Sequence, residues 1–180
     1  MIIDSFIEPT ELEILVQSKL KQHGITLYDY PFNPYTIIQA EGVILQEVPL
    51  DNENIRGMIV NGPNATGILI NKNRSYVSRR FIAMHEISHF WFHHPCPKRV
   101  CFEVYKQKRK GIEWQANHAA ACALMPRKLI IELLNEYNGN LELMSEWLCV
   151  SPESLSYRIV ELGYAHRIRE AKYLMQGGIL

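Results

Sequence analysis

Apolar positions along the chain fall into two regimes, a helical period near both ends and short strand-like runs between them. Leu12, Leu15, Val16 and Leu20 recur three to four apart and Gly24 follows as a stop, which predicts an amphipathic helix over about residues 9–22. The next stretch is rich in Pro, Asn and Asp. Within it "TIIQAEGVILQEV", "RGMIVN" and "TGILIN", separated by Asp51-Asn52-Glu53-Asn54 and Gly62-Pro63-Asn64, read as strands joined by turns.

After Ser78 the pattern turns helical and stays so. Arg80 to Met84 and Phe90 to Phe92 flank His85, Glu86 and His89 with mostly apolar residues, in a helix that Pro95 and Pro97 close shortly after His94. Ile112 to Met125 is alanine-rich, has no internal Gly or Pro, and stops at Pro126. Asn140 can cap a short helix to Leu148, Ser151 with Pro152 opens another, and Gly163 ends it, which is helix-turn-helix spacing. The order of helix, small sheet and further helices predicts an α+β fold.

A chain of 180 residues with 47% hydrophobic content buries one good core and at most a small appendage. We therefore expect a single domain over residues 1–180, with 126–180 as a helical part packed on the core. Nineteen basic and 19 acidic side chains give no net charge, which argues against a chain built mainly to hold nucleic acid. The second of the C-terminal helices offers Glu153, Ser154, Ser156, Tyr157, Arg158 and Glu161, a surface with little phosphate affinity. Packing of Leu155, Ile159 and Leu162 on the core is the favoured reading over DNA contact. "HRIREAKY" is more basic and reads as a solvated helix face.

Asp4 and Glu8 stand where a secretory signal would be basic, and no apolar run approaches membrane-spanning length, so the expected compartment is the cytoplasm. There Cys96, Cys101, Cys122 and Cys149 are expected as free thiols, with Cys122 a small core residue.

Chemistry concentrates in Met84-His85-Glu86-Ile87-Ser88-His89-Phe90. Two histidines four apart share a helix face, so both imidazoles reach one ion, and Glu86 beside them can hold a water there. That is the HExxH arrangement of a zinc hydrolase. A triplet of this kind in an otherwise apolar helix is costly unless a metal or a partner compensates it.

Catalytic zinc keeps three protein ligands. A histidine six residues after His89 would fall on Pro95, and His93 is a poor candidate because three residues of one helix rarely converge on a tetrahedral ion. A carboxylate from the alanine-rich helix is the better solution: Glu113 opens that helix and Asn117 sits one turn later on the same face. Asn117 would then hydrogen-bond a ligand imidazole and fix its tautomer. The competing reading is that Glu113 only favours the helix N-terminus electrostatically.

"RRFIAMHEISHFWFHH", "EWQANHAAACALMP" and "LELMSEWLCVSPESLSYRIVELGY" occur in that order. From about Gly57 to Tyr164 the chain resembles the ImmA/IrrE family of metallo-endopeptidases, whose members read RFxxAHExGHxxxH, then ExEANxFAxxLLMP, then a VSxxxxxxRxxxLG tail. The resemblance implies a minimal zincin-like fold, His85, His89 and Glu113 as Zn2+ ligands, and Glu86 as general base. Ser88, Gln115 and Ala119 depart from the family's usual Gly, Glu and Phe, and none of the three removes a ligand or the base.

The implied reaction is peptide-bond hydrolysis, with Glu86 moving the water proton to the leaving amine. For the oxyanion, His93, Tyr105, His118, Tyr157 and His166 are all open. The implied substrate is a protein, namely a helix-turn-helix repressor of a phage, mobile element or stress response. An extended substrate would pair along a sheet edge, for which Gly67, Ile68, Leu69, Ile70 and Asn71 are the leading candidates. The alternative is that Ile68 and Ile70 fill the core while a loop covers that edge. A non-catalytic or DNA-binding regulator built on the same fold is the other function class; the intact Glu86 and the lack of basic character argue against it.

Overall fold

The computed structural model describes residues 7–52, 54–92 and 111–169, and the backbone of 100–104. Helix α1 (Pro9–Gln22) starts with proline in its first turn and turns Leu12, Val16 and Leu20 into the core, leaving Leu15 partly exposed. Gly24 follows at φ +73°, a conformation that costs glycine nothing.

The stretch read as one long strand before Asp51 is two elements. Asn33 accepts a hydrogen bond from the Tyr35 amide and Pro34 occupies the first turn, so a helix α2 (Pro34–Ala40) forms instead. Ile37 and Ile38 are buried from it, and Gly42 at φ +72° turns the chain into strand β1 (Ile44–Val48). An Asn-Pro start outweighs the β-propensity of the isoleucines.

Strands β2 (Ile55–Asn61) and β3 (Thr66–Asn71) follow the predicted runs, and β4 (Val100–Val104), which periodicity did not mark, completes a mixed sheet ordered β1-β3-β2-β4. β1 runs parallel to β3, and β2 runs antiparallel to both β3 and β4. The expectation for residues 67–71 therefore needs correcting. Gly67, Ile68, Leu69, Ile70 and Asn71 pair with β1 on one side, and Gly67 to Ile70 pair with β2 on the other, so no sheet edge is open there for a substrate. Ile68 and Ile70 do fill the core, but a strand covers that side of β3 where a loop was expected. The Asn71 side chain serves the fold as well: it accepts from the Leu50 and Asn73 amides and donates to the Ile55 carbonyl.

Helix α3 (Tyr76–Trp91), capped by Ser75, lies against β2 and β3 and is buried along most of its length. It ends at Trp91, earlier than Pro95 suggests; residues 93–99, including His93 and Cys96, lie outside the described residues. Helix α4 (Ile112–Leu124) packs between α3 and α1, and its alanines allow the close approach. Helices α5 (Arg127–Glu136), α6 (Leu141–Leu148) and α7 (Pro152–Glu161) complete the α+β architecture.

Asn140 and Ser151 cap α6 and α7 as their spacing predicts, accepting from the Leu143 and Ser154 amides. Leu155, Ile159 and Leu162 join the same apolar cluster as Leu12, Ile68 and Ile87. Arg80, only 2% exposed, ties α3 to this pair by donating to the carbonyls of Leu148, Cys149 and Phe32. "HRIREAKY" is not a helix face where it is described: Ala165–Arg167 is one 3-10 turn, Ile168 is buried, and the Arg169 amide donates to the Gly139 carbonyl. Residues 170–173 lie outside the described residues. Cys122 and Cys149 are free thiols. Among the described residues no helix is long and apolar enough to cross a membrane.

Candidate metal centre

Spacing of four puts His85 and His89 on the face of α3 that meets α4, where both imidazoles are buried. Their rings stand at 74° with centroids 4.7 Å apart and their Nε2 atoms 3.0 Å apart. Glu113, in the first turn of α4, brings Oε2 to 3.2 Å from His85 Nε2 and 3.6 Å from His89 Nε2. Four ligands at about 2.0–2.1 Å around a tetrahedral ion stand about 3.3 Å from one another. The three observed edges bracket that value, so the spacing of these atoms is compatible with a metal ion of that size. They are also the one group of three such side chains found close enough together for a metal among the described residues.

Asn117 lies one turn past Glu113. Its Oδ1 is 2.9 Å from His85 Nδ1, a contact that keeps the proton on Nδ1 and leaves the Nε2 lone pair toward the triangle. Burial raises the Glu113 carboxyl, but the hydrogen bonds and charge that His85 and His89 supply when protonated outweigh it and hold the group well below the usual carboxylate range. The side chain stays ionised over the working pH range and remains partly open to solvent.

Glu86 follows His85 and is fully buried. Its carboxylate reaches toward β2, where a Cβ on Gly57 would lie 3.1 Å from Glu86 Oε1 and 2.4 Å from Ile82 Cγ2. The strand comes this close to α3 because residue 57 has no side chain. Periodicity gives no hint of this, although a glycine inside a strand is a signal of close approach.

His118, one of the oxyanion candidates, is already committed. Its Nδ1 lies 2.6 Å from Glu161 Oε1, its Nε2 lies 3.3 Å from the Pro9 carbonyl, and its ring stacks on Trp114 at 5.0 Å. With both ring nitrogens engaged, His118 does not serve the oxyanion. His166 lines a separate cleft with Leu134, Asn138 and Arg169, and Tyr157 is half exposed on α7. His93 and Tyr105 lie outside the described residues.

Arg158, expected on the solvent side of α7, is 2% exposed. It donates to Glu161 Oε2 at 2.8 Å, Glu13 Oε1 at 2.9 Å and the Met125 carbonyl at 3.2 Å. The signal was there, since residue 158 falls three after Leu155 and four before Leu162, on the apolar face.

A family model described as the IrrE N-terminal-like domain, Peptidase_M78, matches residues 38–160, well over half of the chain. No curated protein sequence matches it.

Proposed function

Because the chain belongs to the IrrE N-terminal-like family of metallopeptidases, we propose that it is a zinc-dependent endopeptidase whose Zn2+ is held by His85, His89 and Glu113. The observation that carries this reading is the convergence of three ligand atoms from two helices within 3.0–3.6 Å. When bound, zinc supplies Lewis-acid polarisation of a carbonyl and lowers the pKa of water.

The protein's own groups do the rest. Glu86, next to His85 in sequence, accepts the proton of the attacking water and delivers it to the leaving amine. Asn117 fixes the orientation and tautomer of His85. Glu113, ionised throughout, places the negative charge that holds the cation between two neutral imidazoles.

The substrate is a protein. We propose a helix-turn-helix repressor of a phage, mobile element or stress response, cleaved in the cytoplasm. Its extended segment pairs with β4, which takes over the role first given to residues 67–71. β4 has β2 as its neighbour in the sheet and stands at its end, and β2 carries Gly57 against Glu86. Main-chain pairing there would lay a peptide on the sheet that Glu86 faces, two strands or about 10 Å from Gly57. Arg158 supports the enzyme reading over a DNA reader, because the one arginine of α7 points inward to two carboxylates.

The test combines metal analysis with cleavage. Wild type should bind about one zinc and His89→Ala far less, while Glu86→Gln should keep zinc and cut the repressor encoded beside this gene at least about a hundredfold more slowly. Equal zinc in wild type and His89→Ala would remove the metal site, and near-normal cleavage by Glu86→Gln would assign the base elsewhere.

A further inference from the structure

Helix α4 carries two polar stripes, one residue out of step. Glu113 and Asn117 face the histidines of α3, while Trp114 and His118 are turned by about 100° around the axis. Between and beyond them the helix is mostly alanine, Ala116, Ala119, Ala120, Ala121 and Ala123, with Gln115, Cys122 and Leu124 also buried. Alanine lets two helices come close, but its ridges are shallow and resist sliding and rotation poorly. A side-chain tip stands about 5–6 Å from a helix axis, so a turn of only about 10° carries it roughly 1 Å. Metal ligands tolerate about half of that. Something other than the alanines must set the rotation of α4.

The second stripe supplies it. Glu161 at the end of α7 grips His118 through Oε1 at 2.6 Å, and its Oε2 receives Arg158 at 2.8 Å. Arg158 continues to Glu13 on α1 and to the Met125 carbonyl that ends α4. The other nitrogen of His118 faces the Pro9 carbonyl, and its ring lies flat against Trp114, the neighbour of Glu113. α4 is thus held at its middle by α7 and α1, and at its C-terminal end by Arg158 together with Gln17 and Tyr30, which donate to the Cys122 and Ala123 carbonyls.

We infer that His118 and Glu161 are positioning residues for the metal centre: their ion pair sets the rotation of α4 at which Glu113 and Asn117 meet His85 and His89. They touch neither the metal nor the substrate. The inference rests on the zinc site proposed above.

Zinc affinity, measured by competition with a chelating indicator, tests it on wild type, Glu161→Gln, His118→Gln and Leu155→Ala, with thermal melting of each apoprotein recorded alongside. Leu155, fully buried on α7, is the control for general loosening. Both amide variants should bind zinc about tenfold more weakly, and their cobalt complexes should show altered visible bands. Leu155→Ala should melt lowest and bind zinc within about twofold of wild type.

If either amide variant does not fold, Glu161→Asp, a carboxylate one methylene shorter, tests the same contact and should also bind more weakly. Unchanged affinity in the amide variants, or in Glu161→Asp standing in for them, overturns the inference, as does a loss in Leu155→Ala as large as theirs. A wild type that binds no zinc overturns the metal reading with it; wild-type binding beside unaltered variants overturns the positioning role alone.

Discussion

The two polar stripes of α4 have the same spacing on the same helix, and their chemistry is opposite. Along Glu113 and Asn117, three lone-pair atoms from His85, His89 and Glu113 converge within 3.0–3.6 Å, an arrangement that asks for a cation. Along His118, donor meets acceptor at each step, from His118 to Glu161 and from Arg158 to Glu161 and Glu13. The charges alternate and the set is complete within the protein. The density of buried polar groups therefore does not mark a functional site. What marks the site is that two imidazole nitrogens and a carboxylate oxygen, all metal-ligating atoms, lie within 3.6 Å of one another, whereas the second stripe pairs an arginine and an imidazole with carboxylates.

The sharpest way to break this contrast is to remove one member of each stripe. Glu113→Ala should weaken zinc binding at least about a hundredfold, while leaving the chelator-treated protein close to wild type in urea unfolding. Arg158→Met should do the reverse. It removes a buried cation from Glu13 and Glu161, which are 17% and 39% exposed and keep Arg127 and His118 as partners, so the cost should be about 1–2 kcal/mol, below that of a fully buried pair. If Glu113→Ala destabilised the apoprotein as much as Arg158→Met, the two stripes would not differ in kind.

The first stripe was legible in the sequence and the second largely was not. His85, His89, Glu113 and Asn117 lie within two helices whose periodicity, proline stops and motif spacing are all local, so their faces follow from counting residues. The same holds for α1 and for the capped pair α6 and α7. His118 and Arg158 could be placed on faces, but their partners Glu161 and Glu13 lie 43 and 145 residues away along the chain, and no local rule matches residues across such gaps.

The sheet failed for the same reason. The apolar run of β3 marks it as a strand, yet its inner place in the sheet depends on β1, which closes the edge of β3 by a parallel pairing that skips β2. The α2 segment failed for a different one. Its Asn33-Pro34 start is a local signal of helix, and the β-branched run after it is a competing local signal of strand.

Within the first stripe the contrast can be sharpened further, because Asn117 belongs to it without being a ligand. Asn117→Ala removes the acceptor 2.9 Å from His85 Nδ1 and frees the ring to change tautomer. Zinc affinity should fall about tenfold, the usual scale for a group that orients a ligand. Affinity within twofold of wild type would mean that packing alone holds His85.

The last expected effect is a pH dependence of stability above neutral pH, carried by the second stripe. Burial pulls the His118 pKa down, but hydrogen bonds with Cys122 and Glu161 and the charge of Glu161 push it up to about 10. The groups facing it are Cys122 on its own helix, Glu161 with Arg158 on α7, Glu13 behind Arg158 on α1, and the Pro9 carbonyl. In the unfolded chain the same imidazole titrates near 6.5. A group whose folded pKa is raised contributes stability in full below the unfolded value and loses it as pH climbs through the folded one. The folded protein thus holds a proton on His118 between about 6.5 and 10 that the unfolded chain releases, and stability falls with rising pH across that window. His118→Gln has no such proton, so its stability should be flatter over the same range. Urea unfolding of both apoproteins with chelator present, at intervals from pH 6 to 10, isolates the effect, since metal-linked protons are then absent and all other titrations cancel in the difference. Two curves that ran parallel would show that His118 is neutral in the folded protein and that the second stripe is not the alternating set of charges described above.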